Sequence, residues 1–249
     1  MAKEKKEKTQ KEKAPKQKIA MDTHADKLKR RKIRMRWLRV GLFTTTSFLV
    51  IIYFLLNLYY TSGDFTIIMD PKLSRDKGII MYEDPATKIN RMILTAPRPD
   101  TVDNISINWL PSNIDNEANG SHNGDNYLAY TFYVENLGLP THYWYSIHID
   151  DVIQEVDEAA RIMLFLNGER TVYAKKAKSG NPEPGTVPFY STELILIEKR
   201  ENMQPGDIDK FTIVIWVEGD DPECLDPLIG GMMKMHMEIQ EESIAPPKE

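Results

Sequence analysis

The sequence predicts a mainly β protein, an antiparallel β-sandwich or jelly roll with one short helix, carried behind a single transmembrane helix. Three observations lead there. Val40 to Tyr60 is a run of residues without a charge, set between Arg39 and Asp64. After it come about ten short apolar or alternating runs, separated by Gly, Pro, Asp and Asn in turn-forming order. Outside the apolar run only Asp151 to Ala160 has helical spacing.

The apolar run holds 21 residues. At about 1.5 Å of rise per residue it reaches roughly 30 Å, the thickness of a bilayer's hydrocarbon core. It is apolar all round, whereas a core helix of a water-soluble domain has one wet face. Trp37 before it and Tyr53, Tyr59 and Tyr60 near its end suit the interfacial belts where amphipathic rings settle. A cleaved signal peptide is the competing reading, with Thr61-Ser62-Gly63 as the place for the cut. Against it, the leader and the apolar run are long and no Ala-x-Ala follows.

Charge is divided unequally along the chain. Residues 1–39 hold 16 Lys and Arg against 5 Asp and Glu, a net of +11, while all 249 residues together carry −5. Residues 1–26 have few large apolar side chains, so burial cannot offset the entropy of ordering them, and residues 1–39 read as a disordered, basic, cytoplasmic tail. Lys27 to Arg39 is almost purely basic and is expected to lie against anionic lipid headgroups, keeping the amino terminus inside. A basic run without interleaved aromatic residues does not favour nucleic acid. Residues 61–240 are then an extracytoplasmic domain, and 241–249 a disordered tail. The single cysteine, Cys224, excludes an intrachain disulfide and leans towards a bacterial envelope. In a eukaryotic host Asn104 and Asn119 would be glycosylation acceptors.

Along the domain, strands are expected at Phe65 to Met69, Gly78 to Tyr82, Met92 to Ala96 and Ile105 to Leu110. A polar loop, Pro111 to Asn126, leads into a long aromatic and β-branched strand at Tyr127 to Asn136, then into Tyr143 to Ile149. His148 falls on the outward face of the latter. Val152, Val156 and Ala159 or Ala160 recur at helical spacing behind Asp150 or Asp151, which predicts the short helix. Arg161 to Leu166 and Glu169 to Ala174 flank Asn167-Gly168, the pair that supplies a type I′ hairpin turn. Strands follow at Thr192 to Lys199 and, after a Pro205-Gly206 turn, at Ile208 to Val217. The last, Met232 to Ile239, alternates Met233, Met235, Met237 and Ile239 with Lys234, His236 and Glu238, a strand with one wet face.

Catalytic signatures are missing from this pattern. His122, His142, His148 and His236 show no His-x-x-x-His or Cys-His spacing, which speaks against zinc. There is no phosphate-binding Gly-rich loop and no Gly-x-Ser-x-Gly elbow. Asp115-Asn-Glu117-Ala-Asn119-Gly120 imitates the start of a calcium loop, but Asn126 stands where the closing Glu belongs. Glu218, Asp220, Asp221, Glu223 and Asp226 concentrate five carboxylates in nine residues, which makes a calcium site possible, although solvated turn residues are the plainer reading and no other cofactor is expected. Cys224 lies among acids and has no neighbouring cation, which argues against a reactive thiol.

Ser62-Gly63 before Phe65 and Ile67, the strand Thr131 to Gly138, the Pro205-Gly206-Asp207 turn, and Trp216 to Cys224 with Gly230-Gly231 before an alternating last strand resemble the TasA and camelysin group of bacterial surface proteins. The resemblance covers most of residues 62–239. It implies a jelly roll on the surface of Gram-positive bacteria and a structural role in biofilm or envelope matrix. Members usually begin with a short, cleaved signal peptide; here a basic leader and a span stand in its place. The expectation is a non-catalytic, membrane-anchored module that binds envelope proteins or copies of itself through strand edges and loop tips. The alternative is a domain that senses calcium or a wall polymer.

Overall fold

The computed structural model describes residues 29–56, 65–99 and 102–241. The chain divides into two units, residues 1–62 and 63–249. In the first, one helix runs from Lys29 to Leu56 and is long and apolar enough to cross a membrane. It begins within the basic segment, earlier than the apolar run alone suggests, because Lys and Arg are good helix formers. Three threonines within it return their hydroxyls to the backbone: Thr44 and Thr45 donate to the Gly41 carbonyl and Thr46 to that of Leu42, at 2.8–2.9 Å. A hydroxyl paired inside its own helix needs no water, which suits a hydrocarbon surround. The tails at 1–28 and 242–249 and the aromatic residues Tyr59 and Tyr60 lie outside the described residues.

The second unit is a β-sandwich. Its strands are β1 (Phe65–Met69), β2 (Ile79–Tyr82), β3 (Ile93–Ala96), β4 (Gly120–Ser121), β5 (Tyr127–Asn136), β6 (Thr141–Ile153), β7 (Ala160–Leu166), β8 (Glu169–Ala174), β9 (Val187–Pro188), β10 (Leu194–Met203), β11 (Ile208–Val217) and β12 (Met232–Gln240). One sheet has the order β10-β6-β12-β1-β3; the other runs β2-β5-β11-β7-β8-β9, with β4 alongside β5. Both sheets are mixed, not purely antiparallel, since β1 lies parallel to β12 and β8 parallel to β9.

Apolar side chains from the facing sides fill the space between the sheets, among them Ile67, Met81, Phe132, Ile147, Phe211 and Met237. Phe132 and Phe211 stack with centroids 5.1 Å apart, and Tyr145 meets Phe211 edge-on at 5.3 Å. A second cluster, with Ile105, Ile114, Ala129, Met163, Val214 and Trp216, sits on the other face of the β2-to-β9 sheet. The segment after Val102 lies over that face, so β11 is buried on both sides, with Phe211 and Ile213 in the first cluster and Val214 and Trp216 in the second.

Two local expectations are corrected. Ile105 to Leu110 is not a strand: Ile105 makes a single bridge to Glu218, and Ile107–Trp109 forms a 3-10 turn. The hydroxyl of Ser106 accepts the Asn108 N–H and so draws the backbone away from a ladder. The helix expected at Asp151 to Ala160 is the end of β6 followed by one 3-10 turn, Val156–Glu158. Val152 and Ile153 pair with Met233 and Met232, and positive φ angles of 59° and 51° at Gln154 and Glu155 prevent helix continuation. Between β1 and β2 lies a short π-helical turn, Leu73–Lys77, closed by Gly78 at φ 76°. The Asn167-Gly168 hairpin has the expected positive φ angles, 53° and 88°.

A buried polar network ties the sheets together. Asp209 of β11 is 1% exposed. It accepts from Tyr143 Oη of β6 at 2.7 Å, from Arg200 Nε of β10 at 3.0 Å and from Asn167 Nδ2 at 2.9 Å. Beside it, Tyr145 of β6 and Tyr173 of β8 both donate to Glu198 of β10, at 2.6 and 2.7 Å. Burial first, and the neighbouring carboxylate second, push all three phenols above their ordinary pKa. A phenol whose pKa is raised by folding contributes stability that is complete below pH 10 and is lost as pH rises through its folded value. Alkaline titration followed by phenolate absorbance should therefore show these tyrosines ionising late, in one step with unfolding. Their stepwise ionisation near pH 10 in a folded chain would contradict the network.

Candidate functional site

The end of the sandwich where β11 stops and β12 starts gathers the unusual residues. Glu218, just past β11, is 7% exposed and organises the loop around itself. Its carboxylate accepts from Trp216 Nε1 at 3.0 Å, Ile107 N at 3.1 Å and Asp220 N at 3.2 Å. Asp220 accepts from Ser106 Oγ. Both carboxylates are thus committed to holding residues 105–110 against the loop.

Asp221 turns inward and pairs with Arg161 of β7; the two side chains are 0% and 5% exposed. Its other oxygen accepts the Glu223 N–H at 2.7 Å, an Asx turn that aims Glu223 inward. Glu223 Oε1 accepts from Lys178 N at 2.6 Å, whereas its Oε2 is buried without a hydrogen-bond partner. Glu183, from the Gly and Pro-rich loop before β9, completes the group: ligand oxygens of Glu183, Asp221 and Glu223 all lie within 4.8 Å of one another. The Arg161 guanidinium reaches Glu183 at 3.7 Å. Burial, and then the charge of Asp221, raise the Glu183 pKa above its ordinary value. A cavity of about 220 Å³ opens beside these groups, lined by Arg161, Glu183, Glu218, Asp220 and Asp221. No histidine lines it.

Of the five carboxylates singled out in the sequence, Asp221 and Glu223 converge. Glu218 and Asp220 serve as loop scaffolding. Asp226 stands apart at the start of a 3-10 turn, Asp226–Leu228. Glu183 and Arg161, 40 to 60 residues away in the chain, carried no local signal. Calcium prefers six to eight oxygens. Three carboxylates, two of which already share one guanidinium, offer a partial shell with a formal net charge of −2. The other acidic stretch forms no such group: Lys210 Nζ binds the Asp115 carbonyl and, at 2.8 Å, Asn116 Oδ1, and Asn119 accepts from Tyr133 Oη at 2.6 Å. Cys224 is half-buried and accepts from Asn104 Nδ2 at 3.2 Å.

Beside the acidic pocket an apolar slot of about 420 Å³ enters between the sheets, lined by Phe65, Leu128, Ile215, Met233 and Met235 among others. Loops at this end carry large apolar side chains in the open: Trp109 is 74% exposed, Ile229 75%, Leu225 58% and Val102 52%. Trp144 is only half-buried beneath Lys199, whose Nζ lies 5.9 Å from its ring, so it is not such a contact.

Fold and helix together define a β-sandwich protein with one helix long and apolar enough to cross a membrane. No family model matches the chain, and no curated protein does. Among solved structures it is similar to two crystal structures of a β-glucosidase from Kluyveromyces marxianus. In the complex with glucose the identity is 10% and the TM-score 0.24, covering 66% of this chain and 15% of the enzyme. For the selenomethionine-labelled enzyme the values are 12%, 0.25, 67% and 17%. The chain thus spans about a sixth of the length of those enzymes.

Removing Arg161 would leave Asp221 and Glu183 buried without their cation. Arg161→Met should lower stability by about 3–5 kcal/mol, the usual cost of breaking a buried pair from one side. Urea unfolding followed by tryptophan fluorescence measures it, and a loss below about 1 kcal/mol, the size of a surface pair, would mean the pair is not buried.

Proposed function

We propose that this chain is a non-catalytic, membrane-anchored interaction module. The helix anchors it, the basic segment stays in the cytoplasm against anionic headgroups, and the sandwich stands outside and binds another envelope protein or a second copy. The observation that carries this reading is the set of exposed apolar side chains on the loops at one end, Trp109 and Ile229 above all. Large apolar groups grouped on one end of a water-facing domain are costly unless a partner covers them, and tryptophan dominates many interfaces. Strand edges are the poorer candidates. β3 and β9 are short, and β10 is broken by two register shifts and carries Glu198, Lys199, Arg200 and Glu201, charges that discourage edge-to-edge pairing. The resemblance of residues 62–239 to the TasA and camelysin group supports the same class, with a biofilm or envelope-matrix setting in a Gram-positive bacterium. A photo-cross-linking residue at Trp109 should give a discrete protein adduct on cells, while one at exposed Arg170 in β8 should give none. No adduct at Trp109, or equal adducts at both positions, would refute the loop end as the contact.

Calcium binding is the second reading, favoured by the unpartnered Glu223 Oε2 beside Asp221 and Glu183. A ligand that binds only the folded state raises the melting temperature with its concentration. Millimolar calcium should raise the melting temperature of the wild-type chain and not that of Glu223→Gln; an unchanged value in the wild type removes this reading.

A further inference from the structure

The outer face of the five-stranded sheet joins two histidines that stand 88 residues apart in the chain. His148 of β6 and His236 of β12 are direct cross-strand partners. Their rings lie 5.0 Å apart and 10° from parallel. Glu238, two residues along β12 and so on the same face, approaches both: its Oε1 is 3.4 Å from His236 Nε2 and its Oε2 3.9 Å from His148 Nε2. Side chains of the three are only 20–25% exposed, and one ligand atom from each lies within 4.8 Å of the others.

A fourth residue makes this more than a cross-strand pair. β6 and β12 slip register between Lys234 and Met235, so that Asp151 pairs with Lys234, Ile149 with Met235, and Asp150 is the extra residue of a bulge. The bulge aims the Asp150 carboxylate at His236, with Oδ1 2.8 Å from Nδ1. The Asp150 carboxylate accepts the Nδ1–H, which fixes the ring proton there and leaves the lone pair on Nε2, the arrangement found behind metal-bound histidines. On the other ring Ser146 Oγ lies 2.8 Å from His148 Nε2.

We propose that His148, His236 and Glu238 form a binding site for a divalent transition metal of the zinc class, with Asp150 as the carboxylate that orients His236. Two imidazoles and one carboxylate select zinc-like ions over calcium or magnesium, which prefer oxygen alone. Three protein ligands leave a fourth position to water. Rotation about χ2, a soft torsion for histidine, would release His148 Nε2 from Ser146 and turn the two Nε2 atoms towards one ion. The ligands belong to neighbouring strands, so the ion would clip β6 to β12. This site is independent of the loop end and of its acidic pocket.

Calorimetric titration of zinc into the untagged full chain in detergent micelles, after chelator treatment, tests the proposal. Expected is one zinc per chain, with affinity reduced at least about 10–100-fold by His148→Ala and by His236→Ala, and about 10–100-fold by Asp150→Asn. Glu183→Gln and Glu223→Gln should leave binding unchanged. Cobalt in place of zinc should show the absorption of a four-coordinate nitrogen and oxygen site, lost in His236→Ala. Should an alanine variant fail to fold by circular dichroism, His148→Asn and His236→Asn replace it. No uptake at micromolar zinc, uptake that survives loss of His236, or uptake lost in Glu223→Gln would each overturn the assignment.

Discussion

Asp209 is the charge on which the sandwich depends. A carboxylate 1% exposed is costly to bury unless its lone pairs are filled, and here a phenol, a guanidinium and an amide fill them. The donors come from β6, from β10 and from the β7–β8 turn, so one side chain of β11 fixes the spacing of both sheets. Hydrophobic burial provides most of the stability but no registry; the polar network specifies which pairing of the two faces is made.

β11 carries the same logic at its other end. Just beyond Val217, Glu218 and Asp221 hold the loops through buried hydrogen bonds and the Arg161 pair. Between the two networks Phe211 and Ile213 point into the main core, while Val214 and Trp216 pack under the covering segment. A strand fixed at both ends and buried on both faces makes a stiff axis. Loops built on such an axis can present Trp109 and Ile229 in the open without disturbing the core.

Most of the sandwich was legible because its strands obey local rules. β5 and β11 run over the residues that β-branched and aromatic patterning marks, and the β7–β8 hairpin turns at Asn167-Gly168 with the expected φ angles. The failures share one cause, tertiary pairing that overrides a local pattern. Val152 and Val156 have helical spacing, yet Val152 is claimed by Met233 across the ladder. Ile105 to Leu110 looks like a strand, but its place is over a sheet face, and past the single bridge at Ile105 the Ile107 N–H goes to the Glu218 carboxylate instead of to a ladder. The sites were harder to read. The acidic loop was visible, but not its partners Arg161 and Glu183, which arrive from another strand and another loop. His148 and His236 looked scattered because cross-strand neighbours have no fixed sequence spacing. The alternation of β12 placed His236 and Glu238 on one face, and only the register with β6 adds His148 and Asp150.

The central claim is that the helix anchors a sandwich that lies outside the cell. Its most direct test is labelling of a chain carrying Ser179→Cys, at an exposed loop position, together with Cys224→Ser. With a membrane-impermeant maleimide on intact cells, the account predicts full labelling at position 179 and none at a cysteine placed at Lys5. Protection of position 179 until the cells are broken would contradict it.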